Sequence, residues 1–212
     1  MIGLMAVIFL VQEFAGGNGP APRWYEPLMA VPAESLAAWA QVRQGNGGLA
    51  EWAELGTWLS CVFLHADISH LAYNMLALWL FAALAADLLG QRWMLLLFFA
   101  TGLGGSVCHA LLNADSMVPC LGASGAVMGF EGAYLGLATR YHLPEPQVWP
   151  MSRPIPPAHL ALLAAFGILM DYVGLMDPAG MRIAYGAHIG GFTTGLFLTA
   201  LLAPMPRAAR AR

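Results

Sequence analysis

The feature that most limits this chain is a series of six apolar runs, several of them near the length that carries a helix across a bilayer. They span approximately Ile2 to Phe14, His70 to Leu89, Trp93 to Leu112, Ala123 to Ala138, Ala158 to Val173 and Ile183 to Ala203. A hydrocarbon core of about 30 Å takes roughly 20 helical residues. Within it, only a helix or a closed barrel satisfies every backbone N–H and C=O. Composition agrees, because 59% of the 212 residues are hydrophobic and only 10% are charged, too apolar for a soluble globule of this length. The expected fold class is all-α, a polytopic membrane protein with a bundle of six transmembrane helices. The first run is short and ends at Gln12 and Glu13. It lacks a basic leader and a small-residue cleavage site, so a first span is expected in place of a cleaved signal peptide.

Charge sets the expected orientation. All nine positive residues are arginines. With six spans, Arg92, Arg140, Arg153, Arg207, Arg210 and Arg212 fall on one side and Arg23, Arg43 and Arg182 on the other. The positive-inside tendency then puts both termini in the cytoplasm, as expected for an integral protein of the bacterial inner membrane. A single domain over residues 1–212 is expected, with a basic C-terminal tail at about 204–212. The longest polar connection, about 15–59, carries Trp24, Trp39, Trp52 and Trp58 between glycines, and is expected to lie at the headgroup level. Pro144, Pro146, Pro150, Pro154, Pro156 and Pro157 mark an extended cytoplasmic connector.

Several function classes fall away. A net charge of -3 without a basic face argues against nucleic acid as a partner. Cys61, Cys108 and Cys120 form no CxxC pair, so neither a disulfide framework nor a zinc knuckle is encoded and all three are read as packing residues. A bridge between Cys61 and Cys120 is a minor alternative.

Polar groups that survive inside apolar spans are the candidates for chemistry. Three clusters qualify. His70 and Asn74, four apart at the start of the second span, share a helical face and can donate hydrogen bonds toward one point. The same spacing equally fits hydrogen bonds to neighbouring helices. Gly122-Ala123-Ser124-Gly125 opens the fourth span, and its glycines leave a serine hydroxyl accessible. Gly125, Gly129, Gly132 and Gly136 then form a stripe that calls for a closely packed helix. The sixth span supplies one, because Gly191 and Gly195 form a small-xxx-small pair and His188 lies three residues before Gly191. If the two glycine faces pack, His188 reaches Ser124. A serine, a histidine base and nearby donors are the parts needed for acyl transfer.

In these three clusters the chain resembles the rhomboid family of intramembrane serine proteases, along essentially its whole length. The resemblance rests on HxxxxHxxxN at His65, His70 and Asn74, GxSG at Gly122 to Gly125, and AHxxGxxxG from Ala187 to Gly195. It implies a rhomboid-like six-helix core with Ser124 as nucleophile and His188 as base. It also implies an oxyanion hole of His70, Asn74 and the Ser124 N–H, with His65 structural. No cofactor is implied, and the implied partners are single-span membrane protein substrates that come in from the lipid bilayer between helices. Two positions depart from the family pattern. Leu59 follows Trp58 where an arginine is common. Met128 replaces an aromatic that often packs on the histidine, and its thioether is expected to touch the imidazole edge instead.

The remaining polar groups read as structural. His109, His142 and His159 lack useful partners in the sequence, and Glu13, Glu131 and Asp171 sit in or at the ends of spans. Glu131 is expected to hydrogen-bond a neighbouring helix. Three rival functions stand beside proteolysis: an inactive rhomboid-like protein that binds membrane clients, a metal protein ligated by His65, His70 and His188, and a transporter. The metal reading needs further ligands and second-sphere carboxylates, for which Asp67 is the only nearby candidate. The transporter reading needs paired intramembrane charges, which the sequence lacks.

Overall fold

The computed structural model describes residues 1–15, 23–146, 156–176, 183–207 and 209–211. Among these, eight α-helices follow in order: α1 (Ile2–Ala15), α2 (Pro32–Arg43), α3 (Leu49–Ser60), α4 (Ile68–Leu89), α5 (Gln91–Leu112), α6 (Ser124–Arg140), α7 (Pro157–Leu175) and α8 (Tyr185–Leu202). Short 3-10 turns occupy Glu26–Leu28 and Cys61–Phe63, and a two-stranded antiparallel pair joins β1 (Tyr141–His142) to β2 (Arg210–Ala211). The six apolar runs become α1 and α4 to α8. Arg153, Arg182, Arg212, Gly16, Gly17, Pro150 and Pro154 lie outside the described residues.

The chain is an integral membrane protein, and its surface says why. Phe14, Leu76, Phe166, Val173 and Leu201 are among a broad set of exposed large apolar side chains, which only a lipid solvent accommodates on this scale. Length and hydropathy alone suffice for a span in α4, α5 and α7. Helices α6 and α8 are poorer in large apolar residues because they form the centre, where neighbouring backbones take the place of lipid.

Glycine makes that centre. A methyl group on Gly191 would overlap the Gly125 carbonyl oxygen, and one on Gly195 would overlap the Gly129 carbonyl. In the other direction, a methyl on Gly132 would strike the Phe192 carbonyl. The α6 and α8 backbones are therefore in direct contact, as small-residue faces permit in a bilayer. At one end of the pair Thr199 Oγ1 donates to the Ala133 carbonyl at 2.9 Å, and Arg140 Nη1 donates to the Thr199 and Ala203 carbonyls, each at 2.9 Å. Arg140 so adds a second donor to the Thr199 carbonyl, which also accepts the Ala203 N–H, and bonds the Ala203 carbonyl just past the end of α8. Helix α5 closes on the same core, with Gly105 against the Ala187 carbonyl.

The long connection is more ordered than a polar loop. Pro32 starts α2 at a position where a missing N–H costs nothing, and Glu51 Oε2 accepts the Gly48 N–H at 2.8 Å at the start of α3. The two helices pack on each other and on α5. Trp24, Trp39 and Trp52 are exposed, whereas Trp58 turns into the core. Between α4 and α5 only Gly90 intervenes, and its φ of 92° lets the chain reverse there.

Candidate active site

The polar residues of four helices meet at one end of the bundle. Ser124 is the first residue of α6, His188 lies in the first turn of α8, and Asp171 lies in the last turn of α7. His70 stands in the first turn of α4 and Asn74 one turn further on. The alternating direction of α6, α7 and α8 thus places their site residues at the same level.

His188 Nε2 lies 2.8 Å from Ser124 Oγ. Its other ring nitrogen, Nδ1, lies 2.9 Å from Asp171 Oδ1. A carboxylate only accepts, so Nδ1 carries the hydrogen and Nε2 is left with a lone pair for the serine hydroxyl. The Tyr185 ring stands edge-on to the imidazole, with centroids 6.5 Å apart. Ser124 and His188 are half-buried, so the pair is reachable from outside the bundle. The packing that brings them together is that of the glycine faces below.

Met128 lines the groove beside α7, its methyl end near Gly167, and His188 is held by Asp171 and Tyr185. Asp171 was the residue that sequence reasoning set aside. The available signal was an ionisable group inside an otherwise apolar helix.

His70 is positioned by its own helix end. Asp67 caps α4, accepting the His70 N–H at 2.8 Å, and the Ala66 N–H donates to His70 Nδ1 at 3.3 Å. Nδ1 is therefore the acceptor and Nε2 the donor. That Nε2 edge lies over Gly122, whose φ of 127° suits glycine and where a Cβ would strike the imidazole. The loop before Ser124 is fixed from below, because the Gly122 N–H donates to the Cys61 carbonyl at 3.0 Å and Cys120 pairs with Ala30. Asn74 is buried, and its side-chain amide donates to the His70 carbonyl at 2.8 Å. The N–H groups at the start of α6, that of Ser124 included, lack partners within the helix.

His65 is buried, and its ring stands edge-on to that of His70 at 5.3 Å. Its backbone is gripped by Gln12 of α1, whose side-chain amide donates to the His65 carbonyl at 3.3 Å and accepts its N–H at 3.2 Å. Gln12 was read from sequence only as the end of a span. Burial pushes the His65 imidazole down to about 4, so it is neutral at pH 7. His65, His70 and His188 do not form a ligand set, since both nitrogens of His188 are engaged by Ser124 and Asp171. His109 is bonded by Asn113, at 2.9 Å to its carbonyl. The three cysteines are free thiols.

Beside the site runs a groove of about 510 Å³ between α4 and α7, floored by α6. Tyr73, Leu76 and Ala77 line one wall, Leu163, Phe166 and Gly167 the other, and Met128 and Glu131 the floor. Glu131 faces Gly167 there. Met128 is one helical turn from Ser124, so the groove leads along α6 toward the serine.

The profile of the rhomboid domain family matches residues 52–205. The chain is 30% identical to the rhomboid protease GluP of Bacillus subtilis over 98% of its own length, and spans 34% of GluP. It is 29% identical to the putative rhomboid protease YdcA of the same organism, over 82% of this chain and 80% of YdcA. With the rhomboid protease GlpG of Yersinia enterocolitica the identity is 24%, over 70% of this chain and 49% of GlpG.

Proposed function

The chain belongs to the rhomboid family, and from that premise we propose that it is an intramembrane serine endopeptidase acting on single-span membrane proteins. The observation that carries the reading is the 2.8 Å approach of His188 Nε2 to Ser124 Oγ. Ser124 attacks the scissile carbonyl carbon as its proton passes to His188 Nε2, and the carbonyl π pair moves onto oxygen. The Ser124 N–H, His70 Nε2–H and the Asn74 amide receive that oxyanion. His188 then gives the proton to the leaving amine nitrogen, and water repeats the sequence on the acyl-enzyme. No cofactor takes part. The substrate helix comes from the bilayer along the groove between α4 and α7, and the apolar lining of that groove supports this route. The site faces the outside of the bacterial inner membrane, with both termini cytoplasmic.

Ser124→Ala tests the reading. Cleavage of a single-span substrate and labelling by a fluorophosphonate are both expected to vanish while the protein stays folded, and His188→Ala is expected to do nearly the same. Cleavage that survives Ser124→Ala and stops with a chelator overturns the proposal in favour of a metal enzyme. An unreactive Ser124 in the parent protein favours a client-binding member of the family.

A further inference from the structure

We propose that Asp171 is a positioning residue that orients His188 and extends the serine-histidine pair to a three-member constellation. The inference rests on the serine-protease reading above. Asp171 belongs to α7, and its Oδ1 lies 2.9 Å from the nitrogen of His188 that does not face Ser124. Three consequences follow from that placement. The carboxylate selects the tautomer with hydrogen on Nδ1, so that the lone pair of Nε2 points at the serine. It locks the imidazole against rotation between Tyr185 and Ser124. It also faces the positive charge that forms when Nε2 takes the serine proton, a charge otherwise stranded in a site where the two side chains are 16% and 12% exposed. The proton moves only between Ser124 Oγ, His188 Nε2 and the leaving nitrogen.

The supporting carboxylate comes from the groove wall. Leu163, Gly167 and Asp171 recur every four residues and so share one face of α7. The first two line the groove and the third reaches His188. Helix α7 packs mainly on α6 and α8, with the groove separating it from α4. A shift of α7 away from α4 and α8 would widen the groove and lengthen the Asp171–His188 contact together.

The test compares Asp171→Asn, Asp171→Ala and Asp171→Glu with the parent in detergent and in vesicles, counting only the monodisperse fraction. Asparagine keeps the size and can still accept from Nδ1–H but removes the charge, and it can also present N–H and favour the wrong tautomer. The expected result is a fall in kcat of roughly 10²- to 10⁴-fold with KM changed less than about threefold, since the effect is confined to the transition state. Fluorophosphonate labelling of Ser124 is expected to slow in parallel, and Asp171→Glu to recover part of the loss. A purely structural role would lower the folded fraction without slowing labelling per folded molecule. Full labelling and turnover in folded Asp171→Asn overturn the inference. Loss of activity in Ser124→Ala beside full activity in Asp171→Asn would leave the serine-protease reading standing while removing Asp171 from it.

Discussion

Gly191 of α8 sits directly against the Gly125 carbonyl of α6, so close that a Cβ there would overlap it. That contact lies beside Ser124, which Gly125 directly follows, and three residues, about one turn, beyond His188, and it fixes how far apart the two stand. Gly191→Ala is therefore expected to force the two helices apart and break the 2.8 Å Ser124–His188 approach. Both thermal stability and fluorophosphonate labelling should fall. Gly56 of α3, where an added Cβ would meet nothing within 4 Å, is the control, and Gly56→Ala should lower neither. Normal labelling in Gly191→Ala would show that the close contact does not set the catalytic distance.

Asn74→Ala is expected to lower turnover by roughly 10²-fold or more while KM moves little, because an oxyanion donor acts where charge develops. Its amide also donates to the His70 carbonyl, so part of the loss should arise through His70. The double variant with His70→Ala separates the shares. Unchanged turnover in folded Asn74→Ala would leave it with the backbone hydrogen bond alone.

Much of this site was legible in the sequence for a geometric reason. Ser124, His188, Gly191 and Gly195 sit on helices whose faces are fixed by spacing, and glycine faces have few ways to pack other than on each other. Asp171 was not legible in the same way. Its helical face can be read, but its partner lies 17 residues on in another helix, and no spacing rule links the two. Gln12 hid for the same reason, since it meets the His65 backbone 53 residues away. Helix α2 was missed because its apolar residues do not gather on a clear stripe, and α3, whose apolar residues do favour one face, because the glycines around it read as loop.

His65 gives the protein a pH-dependent stability with a definite sign. The unfolded chain takes up a proton near 6.5, whereas the folded chain holds the imidazole neutral down to about 4. The unfolded state therefore binds more protons in that window, and stability present above it is lost as pH falls through it. The thermal midpoint of the detergent-solubilised protein is expected to drop between about pH 6.5 and about 4. His65→Gln should flatten that slope. An unchanged slope in the variant would move the effect to another group.

Arginine asymmetry predicts opposite exposure of two sites in intact cells. A cysteine placed at exposed Trp52 should react with an impermeant thiol reagent, and one placed at Arg207 should react only after the membrane is opened. Both are measured in a background lacking the three native cysteines. Equal reactivity of the two positions in intact cells would refute the orientation.

Ala77 offers a way to separate access from chemistry. It lines the groove from α4, opposite Leu163 and Phe166, about one turn beyond Asn74. An indole at this position would occupy the groove through which the substrate helix is proposed to enter, away from Ser124 and His188. A small fluorophosphonate reaches Ser124 from the aqueous side and does not need the groove. Ala77→Trp is therefore expected to raise KM for a single-span substrate by roughly tenfold and leave the labelling rate near that of the parent, the pattern of lost binding with intact chemistry. If turnover and labelling fell together, Ala77 would be acting on the catalytic residues through α4. If neither changed, substrates would reach the serine by a route other than the space between α4 and α7.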